Sequence, residues 1–286
     1  MNSLQVPNSS GTAAPKLKLP AHACDCHMHI YDAARFPPLR PGARMQPDAA
    51  VADYRLLQQR IGTSRTVVVQ PAAYHTDNDV TLDAIAQLGT GHARGIAVVH
   101  PDVTDAELKR LDAGGIRGIR FTQFDPRTAA TTRDMIEPLA HRVEPLGWHV
   151  QIHLRSDQIV DAADLLQRLP GTVVFDHLGR LAGGVNDPAL TVIRRMLDRG
   201  RTWVKLSGAY FFGEAPAYAG ALPIARAYVA AAPERVVWGS DWPHPTETEK
   251  PDDAVLLDLL ADWAPDDATR RRILVDNPAA LYGFPL

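Results

Sequence analysis

Several absences narrow what this chain can be. Among 286 residues only two are cysteine, Cys24 and Cys26, two apart on an expected strand, so a disulfide framework is excluded and two reduced, buried thiols are expected. No apolar run is long enough to cross a bilayer, and residues 1–20 contain no apolar core of the signal-peptide kind. A formal net charge of −3 offers no whole-protein attraction for nucleic acid or an anionic membrane. The expectation is a cytoplasmic protein with neither partner; its oligomeric state is left open. No glycine-rich phosphate turn follows His29 at the end of the first expected strand, which argues against a doubly wound nucleotide-binding sheet. Neither an internal repeat nor a linker divides the chain.

What is present is a repeating strand-then-helix rhythm. Short apolar, β-rich runs recur at Ala23 to His29, Thr66 to Pro71, Arg94 to His100 and Ile116 to Thr122, then at His149 to Leu154, Thr172 to Leu178, Thr202 to Ser207 and Arg235 to Asp241. Helical patterns lie between them at Asp105 to Ala113, Ile136 to Leu146, Asp157 to Leu169, Pro188 to Arg199 and Leu222 to Ala232. This order predicts an α/β fold, a (β/α)8 TIM barrel, as one domain over residues 21–286. Residues 1–20, rich in Ser, Gly, Ala and Pro, are expected to form a mobile tail.

Barrel chemistry sits at the C-terminal ends of strands, and here those ends are polar. Strand alternation would put Asp25, His27 and His29 on the inner face of strand one and Cys24, Cys26 and Met28 toward the helices. His149, Gln151 and His153 share the inner face of strand five. Strand six delivers His177 after Phe175, and strand eight delivers Asp241 after Val237 and Gly239. One such histidine would be unremarkable as a buried polar residue. Four of them with an aspartate, all at strand ends, point to a reaction centre. A carboxylate among imidazoles can take a proton from water, and imidazolium donors or a metal can hold a developing oxyanion. His27, His29, His153 and Asp241 would suit a single zinc ion. No lysine stands among Gly118, Arg120 and Thr122 on strand four, which argues against a lysine-bridged binuclear centre. A single divalent metal and no metal at all both stay open.

The motifs Asp25-x-His27-x-His29, Asp176-His177-Leu178-Gly179-Arg180, Gly239-Ser240-Asp241-Trp242-Pro243-His244 and Asn277-Pro278-Ala279-Ala280-Leu281-Tyr282-Gly283 resemble, in this order, the amidohydrolase-2 group of the amidohydrolase superfamily. The similarity runs from about Ala23 to the C-terminus. It is greatest to the branch holding 2-pyrone-4,6-dicarboxylate lactonase, sugar-acid lactonases and a galactarolactone isomerase. The resemblance implies a hydrolase that opens a small acidic lactone, with Asp241 as general base and His27, His29 and His177 around the reacting carbonyl. It equally allows a lactone isomerase or a metal-dependent decarboxylase, and some members of the branch work without metal. A non-catalytic ligand-binding barrel is the alternative of a different class.

Arginines speak to the substrate. Arg120 is predicted on the inner face of strand four, where an unpaired guanidinium would be costly and a carboxylate would satisfy it. Arg155 lies just past strand five. Arg180, three residues after His177, matches the carboxylate-binding arginine of the resembled group. Arg127 stands one step off the spacing of a further arginine in the pyrone-dicarboxylate enzymes, which weakens that particular substrate. Tyr74 and His75 could contact substrate from the loop after strand two, and His244 could be a second proton carrier. Lys205 and Ser207 would face the bore from strand seven, in an ion pair or in catalysis. The run from Asn277 to Phe284 reads as structural, docking the last helix or closing the barrel floor.

Overall fold

A computed structural model describes residues 3–39 and 43–285. Eight parallel strands occur in chain order: β1 Cys24–Met28, β2 Arg65–Val69, β3 Ala93–Ala97, β4 Ile116–Thr122, β5 His149–His153, β6 Val173–Phe175, β7 Thr202–Leu206 and β8 Val236–Trp238. Each pairs with its sequence neighbours. The ring closes just past β8, where Asp241 N–H donates to His27 O at 2.8 Å and His29 N–H to Trp242 O at 2.8 Å. Gly239 permits that approach, because a Cβ there would lie 2.7 Å from the His27 Cβ. The expected (β/α)8 barrel is therefore the fold.

The helices form where apolar residues repeat at helical spacing and a cap is available. In α4 (Ile136–Val143) the buried residues are Ile136, Leu139, Ala140 and Val143, a single stripe facing the strands. The helix α7 (Pro188–Asp198) starts on Asp187, whose carboxylate accepts from Ala189 N–H, with Pro188 pre-set in the first turn. The expected helix over Asp157 to Leu169 is two short ones, Ser156–Asp161 and Ala163–Arg168.

The bore holds two layers. The lower one is apolar: Cys24, Cys26, Val67, Val69, Ile96 and Val237 pack on Tyr282 and Phe284, which close the floor. Asn277 docks the last helix by donating to Pro233 O and Val236 O at 2.8 and 2.7 Å. The upper layer is polar and forms the site.

Two expectations about placement fail. Cys24 and Cys26 face the bore, and Asp25 faces outward, where Tyr54 of α1 (Val51–Ile61) donates to it. The cause is a bulge in β1. Asp25 pairs with Thr66 but Met28 pairs with Val68, so one extra residue reverses the alternation between Cys26 and His27. Residues 3–20 are also no free tail. Val6 and Ser9 are buried, Pro7 O accepts from the Trp242 indole N–H at 2.8 Å, and Ser10 N–H donates to Pro251 O at 3.1 Å. The segment builds no core of its own, as its composition implies, but Ser10, Lys16 and Leu17 N–H donate to Pro251 O and the Asp258 carboxylate of the barrel. Its first two residues lie outside the described ones. Among the described residues no helix is long and apolar enough to cross a membrane.

Candidate active site

The strands bring His27, His29, His177 and Asp241 together at the C-terminal end of the barrel. Asp241 Oδ1 lies 3.4 Å from His27 Nε2, 3.3 Å from His29 Nε2 and 4.0 Å from His177 Nε2. Its other oxygen accepts a short hydrogen bond from the Tyr210 hydroxyl. Asp241 takes a left-handed backbone, φ 66°, as do His177 and Leu178 at 49° and 56°. Such conformations are costly for non-glycine residues, of order 1–3 kcal/mol each, and concentrate where a side chain has to be aimed.

Each imidazole is oriented from behind. His29 Nδ1 donates to Val69 O at 2.8 Å, which turns its Nε2 toward Asp241. His177 Nδ1 meets Ser207 Oγ at 3.0 Å. His27 Nδ1 lies 3.3 Å from Asp176 Oδ1 and 3.4 Å from Lys205 Nζ. Lys205 also donates to Cys26 O at 2.9 Å and approaches Asp176 at 3.8 Å, while Arg120 Nε donates to Asp176 Oδ2 at 2.9 Å. Asp176 is thus a buried anion between two buried cations, with Gln151 donating to it at 3.0 Å.

These contacts set protonation. Burial pushes His27 and His153 well below the usual imidazole range, with Lys205 adding to the first and Arg120 to the second. Burial lowers His177 to about 4. Burial alone would raise the Asp241 carboxyl, but His177, His29 and His27 outweigh it and hold it well below the usual carboxylate range. Asp176 is held down likewise, burial being overcome by Arg120, His27 and Lys205. Burial brings the Lys205 ammonium down to about 8. At neutral pH the centre is an ionised aspartate facing His27 and His177, two imidazoles that burial keeps neutral.

The other expected residues divide. His153 is in the layer, its ring 4.9 Å from that of His177, but its Nδ1 faces Arg120 Nη2 at 3.3 Å. Ligand atoms of His27, His29 and Asp241 lie within 4.8 Å of one another, and His153 is not part of that group. The expected set of four is reduced to three. Arg120 points inward as expected, yet it is not unpaired, since Asp176 engages its Nε. Arg180 lies between the rings of Phe124 and Phe211, 4.3 and 3.5 Å from their centroids, and has no carboxylate within ion-pair distance among the described residues. Arg155 leans away onto Asp157 and Phe124 O, and Arg127 is exposed and paired with Asp125. Tyr74 does not reach the centre; its hydroxyl accepts from Asp32 N–H and braces the loop after β1. His244 stands behind Tyr210, paired with Asp253 at 3.2 Å.

A cavity of about 220 Å3 adjoins the centre, with Arg120, His153, Gln70, His75, Thr122 and Phe124 in its wall. It is the space open to a substrate beside His153.

Asp176 and Tyr210 were not among the expected site residues. Asp176 could have been found: it lies in a quoted motif, but alternation from Phe175 was carried through to His177. In fact Phe175 packs on the helices, Asp176 faces the bore, and the left-handed turn brings His177 back to the same side. Tyr210 has no sequence signal, being placed by the turn after Gly208, whose φ is 66°.

His27 Nε2, His29 Nε2 and Asp241 Oδ1 are mutually 3.3–3.4 Å apart. Ligands about 2.0–2.1 Å from a tetrahedral zinc would be spaced about that far apart. The donor types and their second partners, Val69 O and Asp176, also suit a single divalent cation.

The amidohydrolase family model matches residues 24–284. The chain belongs to the amidohydrolase family. It is 36% identical over 282 residues to a 2-pyrone-4,6-dicarboxylate hydrolase of Comamonas testosteroni, covering 94% of this chain and 92% of that one. It is 35% identical to a 4-sulfomuconolactone hydrolase of Rhizobium radiobacter, over 93% and 91% of the two chains. A D-galactarolactone isomerase of Agrobacterium fabrum is 33% identical, over 96% and 94%. An apo crystal structure from Agrobacterium tumefaciens superposes with a TM-score of 0.89 at 31% identity, over 97% of this chain and 99% of that one.

Proposed function

We propose that this amidohydrolase opens small carboxylate-bearing lactones by hydrolysis, with Asp241 as general base. The observation that carries the reading is one buried carboxylate oxygen, Asp241 Oδ1, within 3.4 Å of two imidazoles at the end of β8. Relatives that hydrolyse a pyrone dicarboxylate and a sulfomuconolactone support the substrate class.

In this mechanism Asp241 accepts a proton from water as the water oxygen bonds to the lactone carbonyl carbon. The carbonyl oxygen takes up the charge and is held by the Nε2–H of His177, whose Nδ1 accepts from Ser207 Oγ. Collapse breaks the bond to the ring oxygen, which receives the proton back from Asp241. Tyr210 keeps Oδ2 occupied, so Oδ1 does this work. A divalent cation held by His27, His29 and Asp241 would polarise the carbonyl and acidify water. Arg180, and the edge of Arg120 not engaged by Asp176, hold the substrate carboxylate.

Hydrolysis leaves an acid that ionises at neutral pH, so each turnover releases one proton. A pH-stat assay over aldaric, muconic and pyrone lactones should record one proton per lactone consumed. Interconversion of lactones with no proton released would instead assign the isomerase reading, which the galactarolactone isomerase relative favours. Turnover of none of them would end both.

A further inference from the structure

The turn after β7 carries two adjacent side chains that touch different parts of the site. Tyr210 reaches Asp241 Oδ2 with its hydroxyl. Phe211 stacks over the Arg180 guanidinium with 3.5 Å from ring centroid to Cζ, and its edge meets His177 at 5.6 Å. Phe124, from the loop after β4, covers the opposite face of Arg180 at 4.3 Å and lies nearly parallel to the His153 ring at 5.6 Å. Arg180 Nη1 is buried with no hydrogen-bond partner among the described residues.

This arrangement is unlike that of the other arginines considered for the site. Arg120, Arg127 and Arg155 each have an aspartate on the guanidinium. Arg180 has aromatic faces on both sides instead. Rings hold a cation in place without neutralising it, since they satisfy its faces and leave its N–H edge free. An arginine engaged by a carboxylate, as Arg120 is, offers another anion only the rest of its N–H edge. Arg180 has no carboxylate on it among the described residues.

We propose that Phe211, with Phe124, positions Arg180 as a pre-set anchor for the substrate carboxylate, while the adjacent Tyr210 positions Asp241, so that this one turn sets specificity and turnover through separate side chains. The proposal rests on the acidic-lactone reading above. Neither aromatic residue is a catalytic group. Phe211 acts through Arg180, and Tyr210 acts through Asp241 by fixing which carboxylate oxygen faces the attacking water.

The test compares an acidic lactone with its neutral methyl ester in the full-length enzyme. Phe211→Leu should raise KM for the acid and lower the acid-to-ester ratio of kcat/KM by roughly 3- to 10-fold, the range expected for a partly desolvated cation–π contact. Phe211→Tyr keeps a ring over Arg180 and should restore the ratio. Tyr210→Phe should lower kcat on acid and ester alike and preserve the ratio. A ratio unmoved in Phe211→Leu, or moved by Tyr210→Phe, would overturn the proposal. Should Phe211→Leu fail to fold, Phe211→Trp and Phe124→Leu address the same contact. A wild type without preference for the acid would defeat the acidic-lactone reading itself, a different outcome from a preference that survives loss of the ring.

Discussion

Two buried aspartates, Asp25 and Asp241, lie on either side of the same seam between β1 and β8, and their surroundings give them opposite properties. Asp25 faces the helices. Its carboxylate accepts from Ser240 Oγ at 2.6 Å, Ser240 N–H at 2.9 Å, Tyr54 at 3.1 Å and His27 N–H at 3.2 Å. No cation lies within ion-pair distance of it among the described residues, and burial raises it to about 6 despite the hydrogen bonds of Ser240 and His27. Asp241 faces the bore and three imidazoles, which keep it ionised. Its Oδ1 faces the rings of His27 and His29, whereas the bonds from Ser240 and Tyr54 tie Asp25 to other elements. Burial of a carboxylate is therefore no sign of catalysis; the difference lies in whether its neighbours are fixed hydroxyls and amides or titratable rings that can exchange protons.

Disabling each aspartate's surroundings or its charge in turn should break that comparison most visibly. Asp241→Asn keeps the shape and removes the proton acceptor, so kcat should fall by ~10²-fold or more with a melting temperature close to wild type. Ser240→Ala, which strips a hydroxyl from Asp25, should do the reverse: a stability loss of about 1–3 kcal/mol in denaturant titration with turnover of the folded enzyme largely kept. Equal activity losses from the two would erase the distinction.

Arg120 tests the boundary between the two kinds of neighbourhood, because it serves Asp176 on one edge and faces the cavity on another. Arg120→Ala strands a buried carboxylate, for which a cost of about 3–5 kcal/mol is typical. Arg120→Lys keeps the charge without the fork and should recover part of the stability but less of kcat/KM on acidic lactones. Full recovery of both by lysine would reduce Arg120 to a point charge.

The sign of the pH dependence sharpens the contrast. Asp25 has a folded value above its unfolded one, so its contribution to stability is complete below the unfolded value and is lost as pH rises through about 6. Asp241 and Asp176, held low, contribute above the unfolded value and lose that as pH falls through their folded values. Melting curves of Asp25→Asn and wild type should therefore converge as pH is raised from 4 toward 7, a shift of about 1–3 kcal/mol. Curves that stay parallel would show Asp25 not to titrate in that window.

The smallest effect is expected from the segment at the rim. Deleting residues 2–12 removes the partners of the Trp242 indole and of Arg60, which donates to Ser10 O, Gly11 O and Ser9 Oγ. A loss of about 1–2 kcal/mol in stability is expected, because the deletion breaks these four bonds but opens their donors to water. An unchanged melting temperature would return the segment to the status of a tail.

Much of this was legible from residue order. Eight apolar runs with helices between them specify the barrel, and regular alternation correctly turns Arg120, Gln151, His153, Lys205 and Ser207 into the bore. The strands that were misread are β1 and the end of β6, where a bulge and a left-handed turn interrupt the period of two. Those irregularities cannot be read from polarity, because both faces there are polar or buried. They are also what aims His27, Asp176 and His177 at one point. Tyr210 and the rings around Arg180 were invisible for another reason: loops set them, and no periodicity governs a loop.

The central claim is that water held at Asp241 opens the lactone. Turnover in water enriched in heavy oxygen tests it most directly, with mass spectrometry of the product acid. The account predicts one heavy oxygen in the newly formed carboxylate of each product molecule, and loss of that labelled product in Asp241→Asn. A product without heavy oxygen, or labelled product formed at the wild-type rate by Asp241→Asn, would contradict it.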